Sequence, residues 1–324
     1  MRRVTRVAEL RDAVRAARRA DQVVGLVPTM GALHDGHLSL ARHASAVSDV
    51  VVVSIFVNPL QFAPGEDLDT YPRDLDGDEA ALASLGAAAP DLVFAPSVHE
   101  VYPRPVVTTV HVEGLTARLC GARRPGHFDG VTTVVSKLFN LVQPDRAFFG
   151  RKDFQQLQTI RRMVDDLDVP VEVVGLPTVR EPDGLAMSSR NRYLDADARQ
   201  AALALPAGLV EAVRTARAAR TGGRRASVDA LYAAATATLA SESSLRIDYV
   251  EIVDPDTLMP PDQRGEDRVG SPDTAAETAA QTPEQLLVAV AAFVGPARLV
   301  DNVVVGDVAD EDRLLEAVAG RATR

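Results

Sequence analysis

Val23-Val24-Gly25-Leu26-Val27-Pro28-Thr29-Met30-Gly31-Ala32-Leu33-His34-Asp35-Gly36-His37 is the stretch that decides how this chain is read. Its first five residues are an apolar run of strand type, and residues 38–47 beyond it carry a helical pattern. Between them lies a glycine-bearing turn with two histidines, His34 and His37. A strand–turn–helix junction is where α/β proteins bind phosphates, because the helix start offers free N–H groups and the positive end of its dipole. Two imidazoles at that place supply further donors to phosphate oxygens. The spacing His-x-Gly-His predicts one on either side of the helix start, with Gly36 letting a ligand approach the backbone.

Outward from this junction the alternation repeats. Residues 50–57 form a second buried strand, followed by a polar loop with Asn58, Pro59 and Gln61 and a helix over 74–85. Residues 91–94, 146–149 and 171–176 read as further strands, with helices over 130–142 and 154–167. The N-terminal Arg-rich segment, with Glu9 and Asp12, reads as an amphipathic helix. Alternation of this kind predicts an α/β fold, a Rossmann-like doubly wound parallel sheet covered by helices. After Pro182 the character changes. Ala-rich helices are expected over 195–220 and 228–241, and β-like stretches over 246–253, 286–293 and 299–305. The expected organisation is a first domain over 1–183 and a smaller C-terminal α+β domain over 184–324. Residues 261–283, rich in Pro, Asp, Gly, Thr and Ala, are expected to be a mobile loop, since such a segment buries too little apolar surface to offset its ordering entropy.

Composition narrows the function. The chain has 324 residues, 46% of them hydrophobic and 25% charged, which is ordinary for a soluble globular protein. A net charge of −10 argues against general nucleic-acid binding, which rests on basic surface. No apolar run approaches the ~20 residues that span a bilayer. The single cysteine, Cys120, excludes an internal disulfide and fits a cytoplasmic location; it reads as a small filler residue. Of 35 basic residues only Lys137 and Lys152 are lysines. A compact ammonium differs from a planar guanidinium, so a surviving lysine can mark a place where arginine will not serve. Chance survival is the competing reading for Lys137.

Four more segments carry candidate chemistry. Asn58 and Gln61 follow a buried strand at its carboxyl end, where their amides suit hydroxyl and carboxylate groups; the plainer reading is a loop cap. Gly150-Arg151-Lys152-Asp153-Phe154-Gln155-Gln156 also follows a strand and opens a helix. Here Gly150 permits a tight turn, Lys152 reaches a phosphate, Asp153 caps the helix and Gln156 lies one turn on. An ordinary capped helix with a solvent-facing lysine has the same pattern. Met187-Ser188-Ser189-Arg190 offers two hydroxyls and a guanidinium, a triphosphate clamp or a polar helix start. Arg124 and His127, in a loop, can bind an anion; a turn with a satisfied surface histidine has the same pattern. His43, His99 and His111 read as structural or solvated, and no Cys/His spacing suggests a zinc site.

VPTMGALHDGH, VSIFVNPLQF, RPGHFDGVTTVVSKLFNLVQPD, GRKDFQQL and DGLAMSSRNRYL together resemble the pantothenate synthetase (pantoate–β-alanine ligase) family, in that family's order and spacing. The likeness covers residues from about 20 to 255 and resumes at LLVAVAAFVGPARLVDN. More broadly the chain is similar to nucleotidylyltransferases. The resemblance implies that ATP and (R)-pantoate form pantoyl adenylate and pyrophosphate, and that β-alanine then yields pantothenate and AMP. It implies an ATP site of Met30, Gly31, Ala32, Leu33, His34, Asp35, Gly36, His37, Gly150, Arg151, Lys152, Asp153, Val179, Met187, Ser188, Ser189 and Arg190. Within it His37 is the proton donor, with His34 and Lys152 also catalytic. Gln61, Gln156 and Asn58 would hold the acid, and Gln61 β-alanine as well. Mg²⁺ would arrive with ATP, held mainly by phosphates without a protein ligand, and the implied assembly is a homodimer. Arg151 stands where the family often has Glu. Asn58, Gln61 and Gln156 suit a hydroxy acid better than the substrates of other adenylate-forming enzymes on this scaffold. A nucleotide sensor without turnover would not need His37 and Lys152.

Overall fold

The computed structural model describes residues 1–261 and 284–320, arranged as two compact units. One comprises Met1–Val179 with Met187–Ser189, the other Arg180–Ala186 with Arg190–Arg324. The expected loop at 261–283 lies, from residue 262 onward, outside the described residues.

The first unit holds strands β1 (Arg2–Val4), β2 (Val24–Thr29), β3 (Val50–Ile55), β4 (Leu92–Phe94), β5 (Arg146–Gly150) and β6 (Glu172–Leu176). Its helices are α1 (Val7–Arg19), α2 (Asp35–Val47), α3 (Leu75–Ala83), α4 (Val98–Val101), α5 (Leu119–Arg123), α6 (His127–Val142) and α7 (Phe154–Asp166). The strands form one six-stranded sheet in the order β1-β4-β3-β2-β5-β6, and every pairing is parallel. Their sequences explain this. VGLVPT and VVVVSI are apolar on both faces, as a strand covered by helices on both sides must be. Val27, Val51, Val53, Val93 and Phe148 pack with Leu40, Ala41 and Ala44 of α2 and Leu82 of α3. The expected parallel α/β sheet is thus present. Strand β1 was not anticipated, because three residues are too few to show a period.

Order in the sheet is what places the site. β2 pairs with β3 on one side and β5 on the other. The chain runs β2, β3, β4 toward one edge, then returns to lay β5 and β6 on the opposite flank. The order therefore reverses beside β2, and in open parallel sheets ligands bind at the carboxyl ends flanking such a reversal. The turns after β2, β3 and β5 carry the three polar motifs.

The second unit contains α8 (Ala196–Ala202), α9 (Ala204–Thr221), α10 (Val228–Ala240) and α11 (Val308–Ala319) with an antiparallel sheet. Its strands β7 (Leu245–Val253), β8 (Leu286–Val294) and β9 (Ala297–Val305) lie in that order. Leu205, Leu209 and Val213 of α9 and Leu231, Ala235 and Leu239 of α10 form a core with Val288, Val290 and Ala292 of β8. This is the smaller α+β unit expected. The single helix expected over 195–220 is instead two, divided at Leu203. Helix α11 was not anticipated. It carries the fully buried Glu311, which Arg217 and Arg220 of α9 hold from one side and the Gly306 N–H from the other. Burial pushes this carboxyl up, but those partners outweigh it and hold it below the usual range. Arg180 and Asp301, almost wholly buried, form a two-pronged pair at 2.7 and 2.9 Å.

β7 and β8 are antiparallel neighbours, with Val253 opposite Leu287. Two strands so paired need only a short connection, and closure entropy changes by about 0.6 kcal/mol per doubling of loop length. Replacing residues 262–282 with a short Gly/Asn turn is therefore expected to leave the thermal midpoint and the mass in solution unchanged. Calorimetry and light scattering check both.

Candidate active site

Strand β2 ends at Thr29, and its hydroxyl is used at once: it donates to the Ser54 carbonyl at 2.7 Å and accepts the Gly31 N–H at 3.2 Å. The backbone then enters the left-handed region twice, at Gly31 (φ 82°) and Ala32 (φ 51°). Gly31 meets this freely, whereas Ala32 is strained by its Cβ. What holds the turn is Asp78 of α3. Its buried carboxylate accepts the Ala32 N–H at 3.0 Å and the Leu33 N–H at 2.7 Å. Sequence reasoning missed Asp78, which is one of several acids in LDGDEAALA and is set apart only by its distant partners.

The two histidines follow. His34 caps α2: its Nδ1 accepts the Gly36 N–H at 3.2 Å, and the Nδ1 of His37 accepts the His34 N–H at 3.4 Å. Each imidazole takes a backbone proton at Nδ1, so each carries its own proton on Nε2. The two rings, with centroids 4.1 Å apart, are thus neutral and offer Nε2–H as donors. Burial pushes His37 down to about 3, helped by His34 and Lys152 and opposed by Asp153. Gly36 also keeps the His34 ring in its capping place. A Cβ there would lie 2.8 Å from the His34 ring.

β2 and β5 are parallel neighbours, so the turns that follow them leave the same edge of the sheet, and Lys152 and Asp153 act electrostatically on His37. Lys152 is one-fifth exposed and sits 3.5 Å from Asp153. Asp153 holds the N-cap position of α7, but its side chain makes no capping bond. Gly150 has φ −81° and does not require glycine; a Cβ there would meet only the Lys152 nitrogen, at 4.0 Å. The two adjacent glutamines divide. Gln155 is buried and donates to the carbonyls of Leu115 and Arg118, while Gln156 is partly exposed.

After β3, Asn58 is fully buried and caps a 3₁₀ turn, Pro59–Gln61. Its amide donates to Gln61 Oε1 at 2.9 Å and to the Gly130 carbonyl at 3.0 Å, so Asn58 is committed to the protein and Gln61 is the side chain it aims. Gly130 cannot be anything else, because a Cβ there would lie 2.2 Å from the Leu60 carbonyl. Met187 donates its N–H to the Val179 carbonyl at 3.0 Å, and its side chain lies against Gly36. Ser188 and Ser189 belong to this first unit and Arg190 to the second.

Arg124 and His127 are tied together. Arg124 grips Glu66 at 2.8 and 2.6 Å and donates to His127 Nε2 at 3.0 Å; His127 Nδ1–H donates to the Gln61 carbonyl at 2.8 Å. Burial pushes Glu66 up, but Arg124 outweighs this and holds it below the usual range. His127 is driven down to about 4 by burial and then by Arg124. His43 stacks edge-on with Phe148, and His111 pairs with Asp129. Among the described residues no three His, Cys, Asp or Glu side chains are grouped to hold a metal, and no helix is long and apolar enough to cross a membrane.

Comparison with known proteins identifies relatives along nearly the whole chain. The family model described as Pantoate-beta-alanine ligase matches residues 2–304. Pantothenate synthetase from Moorella thermoacetica is 50% identical over 298 residues, 92% of this chain and 96% of that protein. That from Sinorhizobium medicae is 55% identical over 260 residues, 80% and 87% of the two chains. The crystal structure of pantothenate synthetase from Thermus thermophilus superposes with a TM-score of 0.79 at 47% identity, covering 94% of this chain and 99% of that one. Pantoate-beta-alanine ligase from Francisella tularensis, solved with beta-gamma ATP and beta-alanine, gives 0.69 at 29% identity over 93% and 97%.

The turn geometry makes two expectations measurable. Asp78→Ala strands two backbone donors beside a strained Ala32, and each costs about 1–3 kcal/mol; denaturant unfolding should show a loss of ~2 kcal/mol or more. His127 is held at about 4 against an ordinary 6.5. The unfolded chain therefore binds more protons between these values, and stability falls as pH drops through that window. The thermal midpoint should decline from about pH 6.5 toward 4, and His127→Gln, which can keep both hydrogen bonds, should flatten part of that slope.

Proposed function

The chain belongs to the pantoate-beta-alanine ligase family, and from that premise we propose how its site works. Its reaction is the ATP-dependent condensation of (R)-pantoate with β-alanine to give pantothenate, AMP and pyrophosphate. The pantoate carboxylate attacks the α-phosphorus of ATP and pyrophosphate leaves. The β-alanine amine then attacks the acyl carbon of pantoyl adenylate and AMP leaves. A carboxylate is already nucleophilic, so the first step needs little base catalysis. Its barrier lies in charge gathering on the α-phosphate and the departing pyrophosphate, which makes positioning and electrostatics the main requirements.

The observation that carries this reading is the parallel pairing of β2 with β5, which brings the turns after both strands to one sheet edge, with His37 within electrostatic reach of Lys152 and Asp153. In our assignment Met30 to His37, Gly150 to Asp153, Val179 and Met187 to Arg190 bind ATP. His34 and His37 donate through Nε2–H, and Lys152 supplies the ammonium. A neutral His37 acts as a hydrogen-bond donor, and the arriving polyphosphate adds negative charge that favours its imidazolium. Gln61 and Gln156 bind pantoate, with Asn58 aiming Gln61. Mg²⁺ enters as part of the nucleotide substrate. Its oxygens come chiefly from phosphate and water, since Mg²⁺ dehydrates reluctantly and is usually bound through substrate phosphates. The single cysteine suits a reducing cytoplasm, and we take the working assembly to be a homodimer.

ATP–pyrophosphate exchange with pantoate alone tests the adenylate step. The parent should exchange without β-alanine, and His37→Ala should lose ~2.7–4 kcal/mol of transition-state stabilisation, about 10²- to 10³-fold in rate, while remaining folded. Near-parental exchange by folded His37→Ala would remove His37 from this role. No exchange by the parent would remove the adenylate.

A further inference from the structure

Gln61 has its direction imposed from outside the site. Its Oε1 is taken by the Asn58 amide, which leaves the Gln61 NH₂ as the end that can meet a ligand. Asn58 could impose the opposite sense only if its own amide were reversed, and two backbone groups oppose that. The Leu60 N–H donates to Asn58 Oδ1 at 3.3 Å, and the Gly130 carbonyl accepts from Nδ2 at 3.0 Å. The backbone bond to Oδ1 is long. The shorter one, at 2.9 Å, comes from the hydroxyl of Tyr102, just beyond α4. Tyr102 is itself held: its ring lies 6.0 Å from that of Phe56, and Lys137 Nζ sits 5.4 Å above its centroid. Burial raises the phenol to about 12, so it stays a donor across the working pH range.

We propose that Tyr102 is a positioning residue for the acid substrate: through Asn58 it holds the Gln61 amide with its NH₂ facing the ligand, and Lys137 holds the Tyr102 ring. This rests on Gln61 being a pantoate ligand. An outward NH₂ selects a substrate that presents oxygen acceptors, as a carboxylate or hydroxyl does, and penalises one that presents only a donor. It also gives Lys137 a function that sequence left open. An ammonium over an aromatic face is a favourable contact, and it lies on the side chain that fixes the chain of hydrogen bonds.

The test is a four-way comparison of steady-state constants for the parent, Tyr102→Phe, Gln61→Ala and the double variant. Tyr102→Phe keeps the ring and loses one buried hydrogen bond, so KM for pantoate should rise about 3- to 10-fold. KM for ATP should hold at the parent value. In the Gln61→Ala background the same change should do nothing further to pantoate KM. Lys137→Met, which frees the ring but keeps the hydroxyl, should show the same pattern at about 2- to 3-fold, and it carries the test if Tyr102→Phe does not fold. An unmoved pantoate KM in Tyr102→Phe, or an equal rise on top of Gln61→Ala, overturns the proposal. If Gln61→Ala itself leaves pantoate KM unmoved, the assignment of Gln61 fails and this inference falls with it. That outcome is distinct from one in which Gln61 matters and Tyr102 does not.

Discussion

Parallel pairing of β2 with β3 on one side and β5 on the other is the constraint from which the site follows. Parallel strands end at the same edge, so three turns far apart in sequence are delivered to one place. Each turn then has its own fastening. Asp78 grips the first, the Asn58 amide builds the second, and the third opens α7 with Lys152 beside Asp153. Without the strand order these would be three unrelated capped turns. With it they form one polar surface above an apolar sheet.

The proton arrangement of that surface is set by the backbone. Both histidines commit Nδ1 to main-chain N–H groups of the helix start, and that puts the ring proton on Nε2. His127 has the reverse arrangement, with its Nδ1–H on a carbonyl and its Nε2 facing Arg124. Three imidazoles within one unit thus have their tautomers fixed by neighbours, and His37 and His127 are held uncharged by burial. A site prepared for polyanions keeps its permanent positive charge on lysine and arginine and uses imidazoles as aimed dipoles.

Much of this was legible beforehand because apolar runs and glycine-bearing turns record strand ends directly. The segments 23–27, 50–57 and 146–149 match β2, β3 and β5 closely, and the parallel sheet followed from their alternation with helices. Three kinds of feature were not legible. Strand β1 is shorter than any period, and in α11 an acid takes a buried position, since Glu311 is buried only by virtue of two arginines from another helix. Long-range polar fastenings were also hidden: nothing adjacent to Asp78 in sequence says that its partners are Ala32 and Leu33. The local role of a polar residue was misread where tertiary contacts supplied a competitor. Asp153 was expected to cap a helix and instead lies beside Lys152, while His34, an unconventional cap, does the capping at α2.

The near absence of lysine has a chemical consequence for an enzyme that makes an activated acyl group. Outside Lys137 and Lys152, every cationic side chain is arginine or histidine. A guanidinium stays protonated and is no acyl acceptor under ordinary conditions, whereas an amine that sheds its proton is one. An acyl adenylate that strayed from its pocket would therefore find the arginine-covered exterior inert. Lys137 sits over an aromatic ring, and Lys152 is one-fifth exposed beside a carboxylate. Such a chain is protected from self-acylation by its own product chemistry. The same scarcity means that amine-directed cross-linkers and coupling resins can reach it through little besides the amino terminus.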